Sequence, residues 1–200
     1  MAERLYDRVF SSLTLRKAYH FIGGLVLFLI TCFLSDSGIV TACLVYFFAF
    51  LVLGRRISFA VLGVLLLFAI TRSTFATLGA IVIFTLGDGL AAVIGSRFGR
   101  QCLPWNSRKT VLGSAAFLAS SVAGMMVLVG TTSPLAGGGT LLLVLLPPAV
   151  ACVVEGLPVS AIRDRKPDDN LLIILSAGLT VRLLMFLAGT PDLSCCPVIR

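Results

Sequence analysis

The feature that most constrains this chain is the length of the intervals between its charged residues. Residues 110–154 contain no charged side chain, and the intervals 18–35 and 37–54 are also uncharged. A helix needs roughly 20 mainly apolar residues to cross a bilayer. With 58% hydrophobic and only 12% charged residues among 200, the chain is too apolar for a soluble domain of this size. The sequence therefore predicts an integral membrane protein.

The uncharged intervals predict seven transmembrane helices, packed as an all-α polytopic bundle. The stretch TTSPLAGGG at 131–139 contains the proline and glycines that end helices, so it divides the longest interval into two spans. The interval 57–71 gives the shortest span. The predicted spans lie in 18–35, 37–54, 57–71, 73–96, the two parts of 110–154, and a last segment that begins near Asn170.

The basic residues give this topology a direction. If the amino terminus is cytoplasmic, 13 of the 16 lysines and arginines fall on inner segments. The outer side then receives only Arg72 and Arg200, while Arg182 lies within the last span. This asymmetry is typical of the positive-inside bias, and adding or removing one span would destroy it. The net charge of +7 follows from the same distribution, so nucleic acid is not expected as a partner.

We expect one membrane-embedded domain over residues 18–190, in contact with the lipid bilayer. Residues 1–17 precede it as a cytoplasmic or interfacial segment, because Leu5 and Val9 recur at helical spacing with charges between them. Residues 191–200 form a short tail on the outer side. The six cysteines lack the paired spacing of metal ligands and are interpreted as small apolar residues.

Two carboxylates lie where a membrane helix rarely carries them. Asp88 is inside the fourth span and Glu155 is at the inner end of the sixth. An ionisable group there costs about 2.5 to 3.5 kcal/mol, which makes each one a candidate functional residue. The loops that follow these spans bring more polar groups to the same cytoplasmic face, namely Arg97, Arg100, Arg108 and Lys109 in one loop and Arg163, Asp164, Arg165, Lys166, Asp168, Asp169 and Asn170 in the other.

Carboxylates and cations that converge on one face suit phosphoryl transfer. Carboxylate oxygens from two or more segments hold Mg²⁺, and lysine or arginine neutralises the phosphate oxygens that the metal leaves exposed. Positioning and charge stabilisation then supply most of the rate. The stretch KTVLGS at 109–114 is predicted to open the fifth span, where backbone amides at a helix start beside Lys109 suit a phosphate group.

Several of these residues also have a purely structural interpretation. Asp88 can pair with an arginine between helices, and the small residues that repeat every four positions from Ala91 to Gly99 are typical of close helix packing. Gly87 and Gly89 flank the carboxylate and would let a ligand or a backbone approach it.

The only histidine, His20, has two interpretations as well. It lies at the inner end of the first span beside Arg16 and Lys17. A residue at the membrane interface is the ordinary interpretation, and a general base is the functional one. Arg182 is expected to extend towards the outer end of the last span.

Five stretches of the chain resemble the membrane-embedded polyprenol kinase family, which comprises phytol, farnesol and dolichol kinases and the CTP-dependent diacylglycerol kinases. In chain order they are RKAYHFIGG, LGDGLAAVIGSRFGR, LPWNSRKTVLGS, EGLP and PDDNLLI, between about Arg16 and Phe186. Together the Gly-Asp, Lys-Thr-x-x-Gly-Ser and Asp-Asp-Asn elements are fairly specific, whereas any one of them is weak. The resemblance implies an all-helical membrane enzyme that moves the γ-phosphate of a nucleoside triphosphate, typically CTP, onto a lipid alcohol.

The resemblance also implies roles for individual residues. Asp88 would be a metal ligand or the general base, with His20 as the second candidate base, and Lys109 would be catalytic. The implied Mg²⁺ ligands are Asp88, Glu155, Asp168 and Asp169. The implied nucleotide- and phosphate-binding residues are Gly87, Arg97, Arg108, Lys109, Thr110, Gly113, Ser114, Arg163, Lys166 and Asn170.

One position departs from the family pattern. Members often carry an acidic residue where this chain has Leu112, so Glu155 or Asp169 must supply that charge here. A short chain without an additional amino-terminal membrane domain is more similar to the phytol, farnesol and diacylglycerol kinases than to the larger dolichol kinases. Prenols and diacylglycerol both stay open as lipid acceptors.

Three other classes of protein compete with a lipid kinase. A phosphatidate cytidylyltransferase shares CTP, Mg²⁺ and a multi-span helical body, but such enzymes usually end in a longer cytoplasmic signature with a Pro-Gly-His-Gly-Gly-like run, and this chain has one histidine. A transporter would show inverted repeats, broken helices and a site near the bilayer midplane. A non-catalytic scaffold would not require Asp88. The gathering of polar groups at one face favours the kinase.

Overall fold

The chain folds into a bundle of helices, and a small β-hairpin connects two consecutive helices at one end of the bundle. The computed structural model describes residues 13–53, 55–132, 138–158 and 169–189, with only the backbone described at 13–20, 49–53, 55–58 and 138. Seven helices lie within these residues: α1 (Leu13–Phe33), α2 (Asp36–Leu53), α3 (Arg55–Thr71), α4 (Thr74–Phe98), α5 (Val111–Thr132), α6 (Gly138–Gly156) and α7 (Asp169–Leu187).

The predicted spans coincide with these helices. The long uncharged interval forms two of them, because α5 ends at Thr132 and α6 begins at Gly138, and α7 begins at Asp169 beside the predicted start. Helices α4 to α7 are long and apolar enough to cross a membrane. The predicted helical membrane bundle is confirmed for these four helices. The apolar stretches of α1, α2 and α3 that can be described are shorter, so crossing by these three stays a prediction.

Helix α4 lies at the centre of the bundle, where it packs against α1, α5 and α7. Phe75, Leu78 and Ile83 on this helix are buried. Its start is fixed by Ser73, whose Oγ accepts a hydrogen bond of 3.2 Å from the amide of Ala76. Such a cap satisfies one of the amides that have no partner within the first turn of a helix. The helix that carries Asp88 is therefore held on several sides.

Small residues bring α4 and α5 close together. A Cβ at Gly87 would lie 2.9 Å from the ring of Phe117, so only glycine fits there without displacing the ring. The Ser121 hydroxyl donates a hydrogen bond of 3.2 Å to the carbonyl of Ile83 on α4. Close approach through small residues and hydrogen bonds from serine are typical of helix pairs in membranes.

The basic loop expected between the fourth and fifth spans contains a β-hairpin. Strand β1 (Cys102–Leu103) pairs antiparallel with β2 (Asn106–Thr110). The amide of Val111 closes the hairpin by donating to the carbonyl of Gln101 at 2.9 Å. Lys109 and Thr110 thus end a strand, and α5 begins one residue later, which corrects the prediction that Lys109 opens the helix. The reason is that Thr110, a β-branched residue, pairs with Cys102 across the hairpin.

Two predicted segments lie outside the described residues. The interfacial helix expected over residues 1–17 falls mainly before Leu13, where α1 begins, and the tail at 191–200 follows the last described residue.

Candidate functional site

Lys109 is the centre of the candidate site. Its Nζ forms an ion pair with Oε1 of Glu155 and lies 3.8 Å from Oδ2 of Asp169. Lys109 is near the end of β2, Glu155 is one residue before the end of α6, and Asp169 begins α7. Three elements therefore meet at one end of the bundle, where the sequence placed these charges on a common face.

Glu155 is the most deeply buried charged group of the cluster. Its side chain is 3% exposed, whereas that of Lys109 is 26% exposed. Oε1 accepts the hydrogen bond from Lys109, and Oε2 is buried with no hydrogen-bond partner among the described residues. Because a buried charge is costly unless it is paired and hydrogen-bonded, this second oxygen has unused capacity to accept a bond from a ligand.

Lys109 carries a fixed positive charge. Burial alone would lower the pKa of Lys109, but the attraction and hydrogen bond of Glu155, with smaller contributions from Asp88 and Asp169, raise that pKa above its ordinary value of 10.5. The ammonium group therefore stays protonated at neutral pH.

Asp88 joins the same group of charges from within α4. The residue is half-buried and lies ten positions before Phe98, or about 15 Å along the helix from its end. Its charge acts on Lys109, Glu155 and Asp169. Within the described residues, Lys109 thus contacts two carboxylates and is within range of the charge of a third.

The two glycines that flank Asp88 are both used for helix packing. Gly87 contacts Phe117 of α5, and a Cβ at Gly89 would lie 2.6 Å from the ring of Phe21 on α1. Packing therefore accounts for both glycines, although Gly87 was predicted to bind nucleotide. His20, the second candidate base, immediately precedes Phe21 in α1.

Two of the first backbone amides of α5 find hydrogen-bond acceptors in the residues just before the helix. The Val111 amide bonds to the carbonyl of Gln101, and the Gly113 amide donates to Oγ1 of Thr110 at 3.1 Å. Thr110 and Gly113 also pack against Gly95 of α4. Both residues were predicted to bind phosphate. In this structure they cap the helix and pack it closely against α4, as the repeat of small residues indicated.

Ser114 places a second polar group between α5 and α6. Its hydroxyl oxygen is buried without a hydrogen-bond partner in the described parts of the chain. Its carbonyl accepts a hydrogen bond of 3.4 Å from the thiol of Cys152, one turn before Glu155 on α6. The start of α5 and the end of α6 are therefore adjacent.

The other predicted site residues are more dispersed. Arg97 and Arg108 are exposed, and Asn170 is half-buried in the first turn of α7. Arg163, Lys166 and Asp168 lie outside the described residues.

The carboxylates suit a metal that takes part of its coordination from a substrate. Over the described ranges, no three histidine, cysteine, aspartate or glutamate side chains are grouped closely enough to hold a metal ion by themselves. Mg²⁺ commonly uses only one or two protein carboxylates and completes its octahedron with phosphate oxygens and water. Glu155, through its unpaired Oε2, and Asp169 fit that arrangement.

Two residues that the sequence analysis did not single out attach the hairpin to α6. The indole Nε1 of Trp105 donates to the carbonyl of Gly156 at 3.0 Å. Nδ2 of Asn106 donates to the same carbonyl at 3.2 Å and to that of Leu157 at 3.4 Å. The sequence LPWN does contain the proline and asparagine typical of a turn. Its partners lie about fifty positions later, where no local pattern reveals them.

Comparison of the chain with protein-family models, with curated proteins and with solved structures finds no match.

Proposed function

We propose that this protein is a membrane-embedded lipid kinase, which transfers the γ-phosphate of CTP to the hydroxyl group of a lipid alcohol. The acceptor is a prenol of the phytol or farnesol type or diacylglycerol. The observation that carries the proposal is the contact of Lys109 with Glu155 and Asp169, within range of the charge of Asp88. A cation among carboxylates at the end of a bundle suits a metal–nucleotide site. The choice of CTP is supported by the resemblance to the polyprenol kinases.

Lys109 is the residue proposed to meet the phosphate. Its ammonium group is protonated at neutral pH and a quarter exposed, so it can neutralise an incoming phosphoryl oxygen. Glu155 and Asp169 would hold Mg²⁺, with Asp168 as a further predicted ligand. When bound there, Mg²⁺ would neutralise charge on the triphosphate. Arg97 and Arg108, both exposed near the hairpin, would contact the remaining phosphate oxygens.

Asp88 is proposed to act on the acceptor. In the transfer, the lipid hydroxyl oxygen forms a bond to the γ-phosphorus, while the bond from that phosphorus to its bridging oxygen breaks and CDP leaves with the electron pair. The hydroxyl proton passes to a carboxylate. Asp88 is the carboxylate proposed for this role, because it is half-buried within a helix that is long and apolar enough to cross a membrane.

Large apolar side chains are exposed on the elements that carry the site, which supports a lipid acceptor. Phe98, Trp105, Val153 and Leu157 are large exposed apolar side chains on the elements that form the site. The chain of a lipid alcohol would lie against such surfaces while its hydroxyl group reaches the carboxylates. The positive-inside asymmetry of the loops supports a cytoplasmic site, where a nucleotide and Mg²⁺ are available.

The test is a transfer assay with two differently labelled nucleotides. Purified protein in lipid nanodiscs is incubated with Mg²⁺ and either [γ-³²P]CTP or [α-³²P]CTP, and with phytol, farnesol, diacylglycerol or phosphatidate. The proposal predicts γ-label in the lipid product of at least one alcohol. Label from the α-position in a phosphatidate product would identify a cytidylyltransferase. Absence of label in every lipid would favour a protein that is not an enzyme, such as a transporter.

A further inference from the structure

The hairpin is attached to the carbonyl end of α6, about fifty positions away in sequence, as well as to the start of α5. The last carbonyls of a helix have no partner within the helix, so they accept bonds from elsewhere or from water. Here Trp105 and Asn106 supply the donors, through three hydrogen bonds to the carbonyls of Gly156 and Leu157. Leu103 is buried and lies beside Gly156, so the attachment combines apolar contact with hydrogen bonds.

Asn106 uses both ends of its amide group. Nδ2 donates to α6, while Oδ1 accepts a hydrogen bond of 3.2 Å from the backbone amide of Arg108. The latter bond fixes the conformation of β2 just before Lys109. One side chain therefore joins the end of α6 to the strand that carries the lysine.

The hydrogen bonds between the hairpin and α6 lie next to the Lys109–Glu155 ion pair, both along the hairpin and along α6. Glu155 immediately precedes Gly156, the acceptor of two of the bonds, and Lys109 follows Asn106 by three residues. Any movement of the hairpin away from α6 would separate Nζ of Lys109 from Oε1 of Glu155. Lysine has a long and flexible side chain, so its placement depends on where its backbone is held.

We propose that Trp105 and Asn106 are positioning residues, which hold Lys109 against Glu155 by bonding the hairpin to the last carbonyls of α6. Their effect on phosphoryl transfer rests on the proposed function, but their effect on Lys109 does not. Neither side chain is assigned a contact with substrate.

The direct test measures the reactivity of Lys109 with an amine-selective acylating reagent, followed by mass spectrometry of the folded protein in nanodiscs without substrate. Trp105→Phe keeps the aromatic ring but removes the N–H donor, and Asn106→Ala removes both ends of the bridge. Ser107→Ala is the matched control, because Ser107 is an exposed residue in the same strand. Lys17 and Lys166 serve as internal references for reagent concentration.

Each variant of the bridge is expected to raise the labelling rate of Lys109 about fivefold for each net hydrogen bond lost. The ammonium group is then no longer held against Glu155 and becomes more accessible to the reagent. Ser107→Ala should leave the rate unchanged. Unchanged labelling in both Trp105→Phe and Asn106→Ala would overturn the proposal. If Asn106→Ala fails to fold, the milder Trp105→Phe still decides the matter.

A kinetic measurement separates this proposal from the proposed function. If wild-type protein transfers γ-label, the two variants should lower kcat several-fold with little change in the KM for the lipid, since the acceptor site is not altered. If wild-type protein transfers no label but the labelling of Lys109 rises in the variants, the proposed function fails and the positioning role stands. Labelling that stays constant overturns the positioning role whatever the activity.

Discussion

Lys109 and Glu155 form an ion pair between residues that are 46 positions apart in the chain. Lys109 comes from a hairpin strand and Glu155 from the end of a helix that crosses the membrane region. The pair therefore joins the hairpin between α4 and α5 to the end of α6. The ion pair stabilises this end of the bundle and holds the ammonium group of Lys109 where we propose that a phosphate binds.

Removing the lysine should destabilise the protein more than removing both partners. Lys109→Met leaves the carboxylate of Glu155 buried without its cation, which costs about 3 to 5 kcal/mol for a fully buried pair and less here because Lys109 is partly exposed. The double variant Lys109→Met/Glu155→Gln should recover about 0.5 to 3 kcal/mol of that loss. Unfolding by SDS titration measures both changes.

Arg108→Met is the control for this comparison, because Arg108 is a neighbouring exposed cation. It should change the free energy of unfolding by less than about 0.5 kcal/mol. If the effects of Lys109→Met and Glu155→Gln on the free energy of unfolding simply added in the double variant, the two side chains would not be coupled.

The contribution of Lys109 to stability should not change with pH in the neutral range. Its pKa in the folded protein is raised above 10.5, so the stabilisation is fully present below the unfolded-state pKa and is lost as the pH rises through the higher folded-state pKa. The difference in unfolding free energy between wild type and Lys109→Met should be constant from neutral pH to about 10.5. If this difference in unfolding free energy disappeared at a pH well below 10.5, the stabilisation could not come from the protonated ammonium group of Lys109.

Helix packing at Gly87 should tolerate no side chain. In Gly87→Ala, the new methyl group would meet Phe117 of α5 at 2.9 Å, which should destabilise the protein by about 1 to 3 kcal/mol. Gly130→Ala in α5 is the control, because a Cβ there meets nothing within 4 Å. Alanine favours a helix over glycine by about 1 kcal/mol, so this control should be neutral or stabilising. The same loss of stability in both variants would show that packing is not the cause.

The extent of the described helices could largely be predicted from the sequence, because charged residues, together with the proline and glycines of 131–139, limit where an apolar helix can run. The predicted start near Asn170 differs from the observed one at Asp169 by one residue. The hairpin could not be predicted in this way, since Trp105 and Asn106 obtain their partners from α6, about fifty positions away.

The site could be predicted as a group of residues but not as a set of contacts. The charge pattern predicted Lys109, Glu155 and Asp169 at one face, because the predicted topology puts the segments that carry them on one side of the membrane. Which carboxylate would contact the lysine depends on the hairpin. Gly87 and Thr110, which were predicted to contact ligand, also lie between helices in the structure, and their contact with a ligand stays a prediction. Small residues beside a site and small residues in a helix contact have the same sequence pattern.

The predicted topology places the hairpin and the amino terminus on the cytoplasmic side. Cys102 is an exposed free cysteine in β1. In a Cys195→Ser/Cys196→Ser background, a membrane-impermeant maleimide should label Cys102 only after the membrane is permeabilised, and a tag added at the amino terminus should be protected in the same way. Opposite behaviour of the tag and Cys102 would mean that an odd number of helices crosses between them. Cys102→Ser controls for labelling at other cysteines.

If the cluster around Lys109 transfers a phosphoryl group, the initial rate of γ-label transfer from CTP to lipid depends on its carboxylates. Rates are compared for wild type, Asp88→Asn, Glu155→Gln and the exposed control Ser107→Ala, after each is shown to be folded in nanodiscs. The account predicts transfer by wild type and Ser107→Ala, and rates at least about a hundredfold lower for the two carboxylate variants. Undiminished transfer by Asp88→Asn and Glu155→Gln, or no transfer by wild type to any lipid alcohol, would contradict it.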